Sequence, residues 1–395
     1  MTPQTTRVWL WLHKWSSLIC TVFMLLLCLT GLPLIFHHEL GHWLGTEMQA
    51  PPLPAGVAAR AVTLDEAVAV AQRVHPGRVA QYASPEEDSD DLWRVTMAPT
   101  PAPTDDFRLV VVDARTGDYL GTPPLHSGFL WVMFKLHVDL FAGLAGKLFL
   151  GLMGVLLLVS LISGTVLYAP FMRKLAFGTV RRGSDCPASR QEDDRARKQR
   201  AAQRRLKWLD LHNLLGIVLL AWLFVVGGTG VINTWADLLV KYWQHDQLSA
   251  YLAPYKGQPT VPQGERAPIH QALHAAQEAV PDTRLYFMAF PGTAFASPHH
   301  YVFFMRGNTP LTAHLPRPVL VDARTAQVTA APRLPWYLTA LLMSRPLHFG
   351  DYGGWPMQIL WALLDVLSII VLGSGLYLWL KKGNKTAKAG SVQQR

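Results

Sequence analysis

Three cysteines in 395 residues leave this chain without a disulfide framework. Cys20 and Cys28 fall in the first apolar run and Cys186 in a basic stretch near the middle. The long polar segments have none, so they fold without disulfides even in an oxidising compartment. No Cys-x-x-Cys-His occurs, which argues against covalently attached c-type haem. No Gly-x-Gly-x-x-Gly follows a strand-like run, so no dinucleotide-binding turn is present. No Gly-x-Ser-x-Gly elbow occurs, and the polar segments offer no nucleophile beside a base, so no hydrolase is expected. Charge is also scarce, at 16% of residues against about 25% in soluble domains.

Apolar sequence takes the place of the missing charge. Runs from Trp9 to Phe36, Leu140 to Tyr168, Leu211 to Trp235 and Trp355 to Leu380 are each long enough to cross a bilayer, which takes about 20 residues. The first is too long, and too well matched to the third, to be a cleaved signal peptide. Between Arg173 and Lys207 there are twelve Lys or Arg against four acids, and the tail adds Lys381, Lys382, Lys385 and Lys388. Between Glu39 and Lys135 the balance reverses, with thirteen acids against seven bases. The positive-inside rule then predicts cytoplasmic termini and middle loop, with two long segments outside. The net charge of +9 needs no nucleic-acid partner, since anionic lipid and membrane insertion account for the basic stretches.

The halves of the chain repeat one another. His13 precedes Gly31 by eighteen residues and His212 precedes Gly230 by eighteen. His137 precedes Gly164 by twenty-seven, as His348 precedes Gly375. Ionisable groups in or beside hydrocarbon are costly and usually mark a pathway, a relay or a cofactor site. A lone interfacial histidine more often anchors its helix. Four in repeat-matched places predict ligands for two metal centres, His13 with His212 and His137 with His348, and in a membrane bundle the natural metal group is haem. The glycines, with Thr30, Ser163, Thr229 and Ser374 beside them, suit close helix approach or a porphyrin face. A continuous helix from His137 to Arg173 would run about 54 Å, more than a bilayer core needs. A bend around Gly143 and Gly146 is therefore expected, or aromatics such as Trp15, Trp222 and Trp361 between the pairs.

The outer segments repeat too. Thr63 to Gly77 (TLDEAVAVAQRVHPG) matches Pro268 to Asp282 (PIHQALHAAQEAVPD), and Val110 to Gly121 (VVVDARTGDYLG) matches Val319 to Ala330 (VLVDARTAQVTA). Thr63 and Glu66 form a capping box, so a helix should start there and stop before Pro76. Arg94 to Met97 and Leu109 to Asp113 read as antiparallel strands, with a turn at Thr116-Gly117. The second copy departs from the first: Pro268 replaces the capping threonine, His270 an acid, and Ala326 the turn glycine.

A helix of this LDEA type followed by VDARTG resembles a PepSY domain. Two of them among four apolar helices resemble the PepSY-associated transmembrane family, which includes inner-membrane siderophore reductases of the FoxB type. The resemblance spans nearly the whole chain. It implies a membrane α-helical bundle of four transmembrane helices with a pseudo-two-fold repeat, carrying two periplasmic α+β PepSY-like domains. The expected division is helix 1 over 1–38, a periplasmic domain over 39–135, helix 2 over 136–170, a basic cytoplasmic loop over 171–207, helix 3 over 208–236, a second periplasmic domain over 237–345, helix 4 over 346–381 and a cytoplasmic tail over 382–395. The implied function is reduction of periplasmic ferric siderophores with two haem b in the inner membrane of a Gram-negative bacterium, using a separate cytoplasmic or membrane electron donor. The competing expectation is a haem-free PepSY signalling protein that binds a periplasmic partner.

Other constellations carry less. His37, His38 and His42 cluster after the first apolar run, but their counterparts are Ala236, Asp237 and Lys241. His270 and His274 have helical i, i+4 spacing without a third ligand. His126 and the His299-His300 pair lie in loops. The acidic run of Glu86, Glu87, Asp88, Asp90 and Asp91 could attract a cationic complex, although a solvated loop is the default.

Overall fold

The computed structural model describes residues 2–53, 56, 58–86, 90–172, 176–181, 194–309 and 312–390. In chain order its main elements are α1 (Pro3–Ile35), α2 (His37–Trp43), α3 (Leu64–Val74), β1 (Val79–Pro85), β2 (Leu92–Ala98), β3 (Arg108–Asp113), β4 (Tyr119–Gly121), α4 (Phe129–Val138), α5 (Gly143–Met172), α6 (Asp194–Val218) and α7 (Leu220–Thr234). There follow α8 (Ala236–Trp243), α9 (Ser249–Leu252), α10 (Ile269–Ala279), β5 (Thr283–Ala289), β6 (His300–Gly307), β7 (Arg317–Asp322), β8 (Val328–Ala330), α11 (Trp336–Phe349) and α12 (Gly354–Gly390). The repeat is plain in their bounds: α3 and α10 open 205 residues apart (64 and 269), and α5 and α12 open 211 apart (143 and 354).

Two compact units result. One comprises Met1–Phe36, Val132–Trp235 and Ser344–Arg395, and is helical; the other comprises His37–Trp131 and Ala236–Met343, and holds the strands.

In the helical unit, α1, α5 and α12 are each long and apolar enough to cross a membrane. The third apolar run is bent. Its helices α6 and α7 meet at 66°, as a broken span or a re-entrant pair does, so the helical unit has three to four candidate crossings. Helix α1 packs on α5 and α12, α5 on α7, and α6 on α12, closing a ring.

The bend expected around Gly143 is present as a break between two helices. Helix α4 stops at Val138, and Leu140, Phe141 and Gly143 take left-handed backbone angles before α5 begins. The Asp139 carboxylate accepts the Phe141 N–H at 2.9 Å and pairs with Lys135. A side chain at Gly146 would run into the Asp139 carbonyl, so this corner needs glycine there. The equivalent corner between α11 and α12 uses Gly350 and Gly354, both left-handed, with the Trp361 ring filling the space beside Gly350.

In the strand unit the two repeats read as PepSY-like domains share a sheet. All eight strands form one antiparallel sheet in the order β4-β3-β2-β1-β5-β6-β7-β8. The halves join where Tyr82 pairs with Ala289 and Ala83 with Met288. The physical reason is an open edge: β1 ends one four-stranded half with unpaired N–H and C=O groups, and its own repeat, β5, covers them. Both strands also slip register at matching places, between Ala80 and Tyr82 and between Leu285 and Phe287.

Helices α3 and α10 pack together on one face of the sheet. Ala67 and Ala71 there join Val95, Val110 and Val112 in a core that continues through Ala272, Ala276, Phe303 and Val319. The capping box forms as expected, with the Thr63 hydroxyl accepting the Glu66 N–H at 3.3 Å and Glu66 accepting the Thr63 N–H at 2.7 Å. Pro268 offers no side-chain cap to α10. Asp65 of α3 takes that part, accepting the N–H groups of Ile269 at 2.6 Å and His270 at 2.8 Å. The VDAR turns are Asx turns: Asp113 accepts the Arg115 N–H, and Asp322 those of Arg324 and Thr325. Ala326 keeps the left-handed conformation of its counterpart Gly117, with φ of 57° against 85°.

Candidate paired-imidazole site

The four repeat-matched histidines all lie in the helical unit, on four different helices. They meet as two pairs across the halves. The ring centroids of His13 (α1) and His212 (α6) are 6.4 Å apart with planes at 68°. Those of His137 (α4) and His348 (α11) are 6.2 Å apart with planes at 61°.

Each ring is held in the same way. The Nδ1–H of His13 donates to the Ser160 carbonyl at 2.9 Å, and that of His212 to the Val371 carbonyl at 3.1 Å. His348 donates to the Val226 carbonyl at 3.0 Å, and His137 to that of Leu27. A hydroxyl lies beside every Nδ1: Ser163 at 3.2 Å, Ser374 at 2.9 Å, Thr30 at 3.1 Å and Thr229 at 3.4 Å. A carbonyl only accepts, so each proton sits on Nδ1 and each Nε2 keeps its lone pair. Fixing one ring nitrogen so that the other can bind is how proteins orient metal-ligating histidine.

The glycines have a definite use. A Cβ built on Gly164 would stand 3.0 Å from Cε1 of His13, and one on Gly375 3.3 Å from Cε1 of His212. Gly31 and Gly230 stand in the same relation to His137 and His348, at 3.2 and 3.0 Å. The sequence spacing links each histidine to a glycine in its own apolar run. The structure exchanges them within each half, so that the histidine of one run leans on the glycine of the other.

Two imidazoles on opposite sides of one metal ion, with bonds of about 2.0–2.1 Å, hold their centroids roughly 6.3 Å apart, against about 5 Å at a tetrahedral angle. Both pairs match that spacing. Among the described residues no group of three or more His, Cys, Asp or Glu is arranged to hold a metal ion. Each pair thus offers two protein ligands, as a six-coordinate haem iron takes when the porphyrin supplies the rest. Along α1, the eighteen residues from His13 to Gly31 separate the two levels by about 27 Å. The aromatics expected between them are partly there: Trp222 and Trp361 have ring centroids 6.2 Å apart, and the Trp361 N–H donates to the His348 carbonyl at 3.3 Å.

Elsewhere the structure is less generous. His38-Glu39-Leu40-Gly41-His42 has the His-Glu-x-x-His spacing of a zinc site, a pattern missed when attention goes to repeated features, since the second half lacks it. Here His38 turns to Glu47 at 2.9 Å, with His42 at 3.8 Å and Arg94 at 3.9 Å from the same carboxylate. Burial works against ionisation of Glu47, yet His38, then His42 and Arg94, hold its carboxyl below the ordinary value. His270 bonds Asp65, and His274 faces Glu278 at 3.6 Å, so that spacing serves no shared ligand. His126 packs against Phe107 and Trp131. His300 is buried against Ser297 at 2.6 Å, with Tyr255 beside it and His299. In the acidic run, Glu86 pairs with Arg94 at 2.6 Å and Asp91 lies 3.9 Å from Arg115; Glu87 and Asp88 lie outside the described residues, as do Cys186 and much of the basic stretch.

Sequence reasoning reached the histidines and the glycines. It did not reach Ser160, or the part played by the Leu27, Val226 and Val371 carbonyls. The signal available was the small hydroxyl residue preceding each glycine, repeated four times.

Comparison with known proteins supports the same frame. A protein of Pseudomonas aeruginosa, described only as uncharacterised, is 25% identical over 268 residues, which is 64% of this chain and 63% of that relative's length. Residues 10–382 match the PepSY-associated TM region, which takes in all four histidines, both apolar corners and the whole sheet. The chain is a membrane protein and belongs to the PepSY-associated TM region family.

Proposed function

We propose that this protein holds two b-type haems, one between His13 and His212 and one between His137 and His348, and reduces ferric siderophores on the periplasmic side of a bacterial inner membrane. The observation that carries the reading is the paired geometry: two imidazole pairs at metal-bridging separation, every Nδ1 anchored and every ring seated on a glycine. Bound haem supplies a one-electron redox couple, a chemistry for which side chains alone have no substitute.

The chain's own residues do the rest. Ser160, Val371, Val226 and Leu27 fix the imidazoles in the ligating tautomer. The glycines keep the ring positions clear. His137 and His348 follow closely on Val132 and Ser344, where the chain enters the helical unit from the sheet-bearing segments, so theirs is the pair read as facing the periplasm. The sheet unit offers the docking surface for the chelate. Ferric ion is held more tightly by oxygen chelators than ferrous ion, so one electron loosens the complex. No dinucleotide-binding motif occurs in the chain, and the donor is therefore a separate protein or a membrane carrier.

The test is an oxidised-minus-reduced visible spectrum of purified protein, with haem counted per chain. Two haems are expected, and His348→Ala should lose about half of them together with ferric-siderophore reduction. Protein made with ample haem that binds none would retire the reading in favour of a haem-free partner-binding role.

A further inference from the structure

The helical unit carries a carboxyl group that neither imidazole pair uses. Asp365 lies in the membrane-spanning stretch of α12 and is 8% exposed. Its Oδ2 is buried without a hydrogen-bond partner among the described groups. The Cys28 thiol of α1 reaches the carboxyl and is the one partner seen for it. The repeat places Gly154 and Gly227 at the equivalent positions, so only one half has this pair.

Both residues lie close in sequence to groups that hold the His137–His348 pair. Trp361, one turn before Asp365, donates its N–H to the His348 carbonyl. Cys28 follows Leu27, whose carbonyl receives His137. Gly375, where His212 rests, is ten residues further along α12, or about 15 Å. Among the described residues no cation faces the carboxyl. Cys28 is the titratable group opposite it on α1, and α7 has none from Leu220 to Thr234. Helix α6 brings Asp210 and His212, the latter at the level of Val371 and Ser374. The turn before α12 brings Tyr352, which packs on Trp361.

We propose that Asp365 is a proton-binding site coupled to the charge held between His137 and His348. The proposal rests on reading that pair as haem ligands. An ionised carboxylate here would face no cation among the described residues, and a buried unpaired charge is costly. With haem held between His137 and His348, Asp365 would take one proton from the aqueous phase for each electron received there. When the electron passes to the ferric chelate, the proton returns to water. Coupling is reciprocal, so protonation of Asp365 favours the reduced state as much as reduction favours protonation.

A potentiometric titration of the purified full-length protein across pH tests this. Two b-type components are expected, and the one absent from His348→Ala is the one to follow. Its midpoint should fall as pH rises, approaching about 59 mV per unit, the one-electron equivalent of a tenfold change in an equilibrium constant. Asp365→Asn should flatten that slope and leave the other component unmoved, while Asp365→Glu should retain it. Infrared difference spectra give a second readout that does not need the Asn variant: a protonated-carboxyl stretch should appear on reduction of the wild type and shift in Asp365→Glu. A midpoint independent of pH, a slope that survives in Asp365→Asn, or no such carboxyl band overturns the proposal. Protein without haem fails at the first spectrum and overturns the underlying reading along with it.

Discussion

Each candidate ligand touches a residue chosen for having no side chain. Gly230 allows His348 to sit where a Cβ would stand 3.0 Å from the ring, tighter than ordinary contact. If the proposed haems are bound, Gly230→Ala should weaken retention at the His137–His348 pair, and Gly230→Val, which is larger and branched, should abolish it while the His13–His212 pair is spared. Haem per chain and the surviving spectral component read this directly; equal loss from both pairs would mean a folding defect instead. Removing the Ser374 hydroxyl should matter less, because the Val371 carbonyl still receives the same Nδ1–H. Of this scale, the four histidines were legible because repetition singles them out. Which glycine serves which histidine was not, because spacing in the chain reports distance along one helix and the contact crosses between helices.

At the scale of elements, the two outer copies divide labour that one copy would do alone. Asp65 belongs to α3 but caps α10, where Pro268 has displaced the usual capping residue. Asp65→Ala should cost about 0.5–2 kcal/mol, the usual worth of an N-cap, with denaturant unfolding of the sheet unit as the measure. Asp65→Asn should recover part of it. An unchanged midpoint would show that α10 is held by its packing alone. The capping box, strands β2 and β3 and the turn at Gly117 could all be read from sequence, since each rests on neighbours within a few residues. The β1–β5 junction could not. It pairs residues about two hundred positions apart, and neither strand's pattern names its partner. The broken helix at Gly143 lay in between: length demanded a bend, but only the backbone angles of Leu140 and Phe141 show a clean stop.

For the molecule as a whole, the sheet ends matter as much as its centre. Strands β3 and β7 each finish in an Asp that organises the following turn. The hydrogen bond from the Arg115 guanidinium holds Asp113 below the ordinary carboxylate value. Burial opposes ionisation of Asp322, but the N–H groups of Thr325 and Arg324 outweigh it and its carboxyl is lowered too. Groups lowered on folding contribute stability that is complete above their unfolded value, about 3.9 for Asp, and lost as pH falls through the folded one. The strand unit should accordingly lose thermal stability below about pH 4, and Asp113→Asn should make that loss shallower at the expense of stability near neutrality. Circular dichroism melts across pH measure both.

The two-fold seam has a consequence for how such a chain can arise. A half-length chain would carry one imidazole of each pair and one exposed edge of the central seam, and it would complete neither alone. Two identical copies would complete both imidazole pairs and cover each other's β1 edge, each through an isologous contact. Joining the copies into one polypeptide removes the requirement that they be identical. The present chain has used that freedom: Trp222, Trp361, Cys28 and Asp365 stand where strict symmetry would put Phe23, Leu150, Gly227 and Gly154. The difference falls between the two halves of each pair's surroundings, since the repeat relates the members of a pair and never one pair to the other.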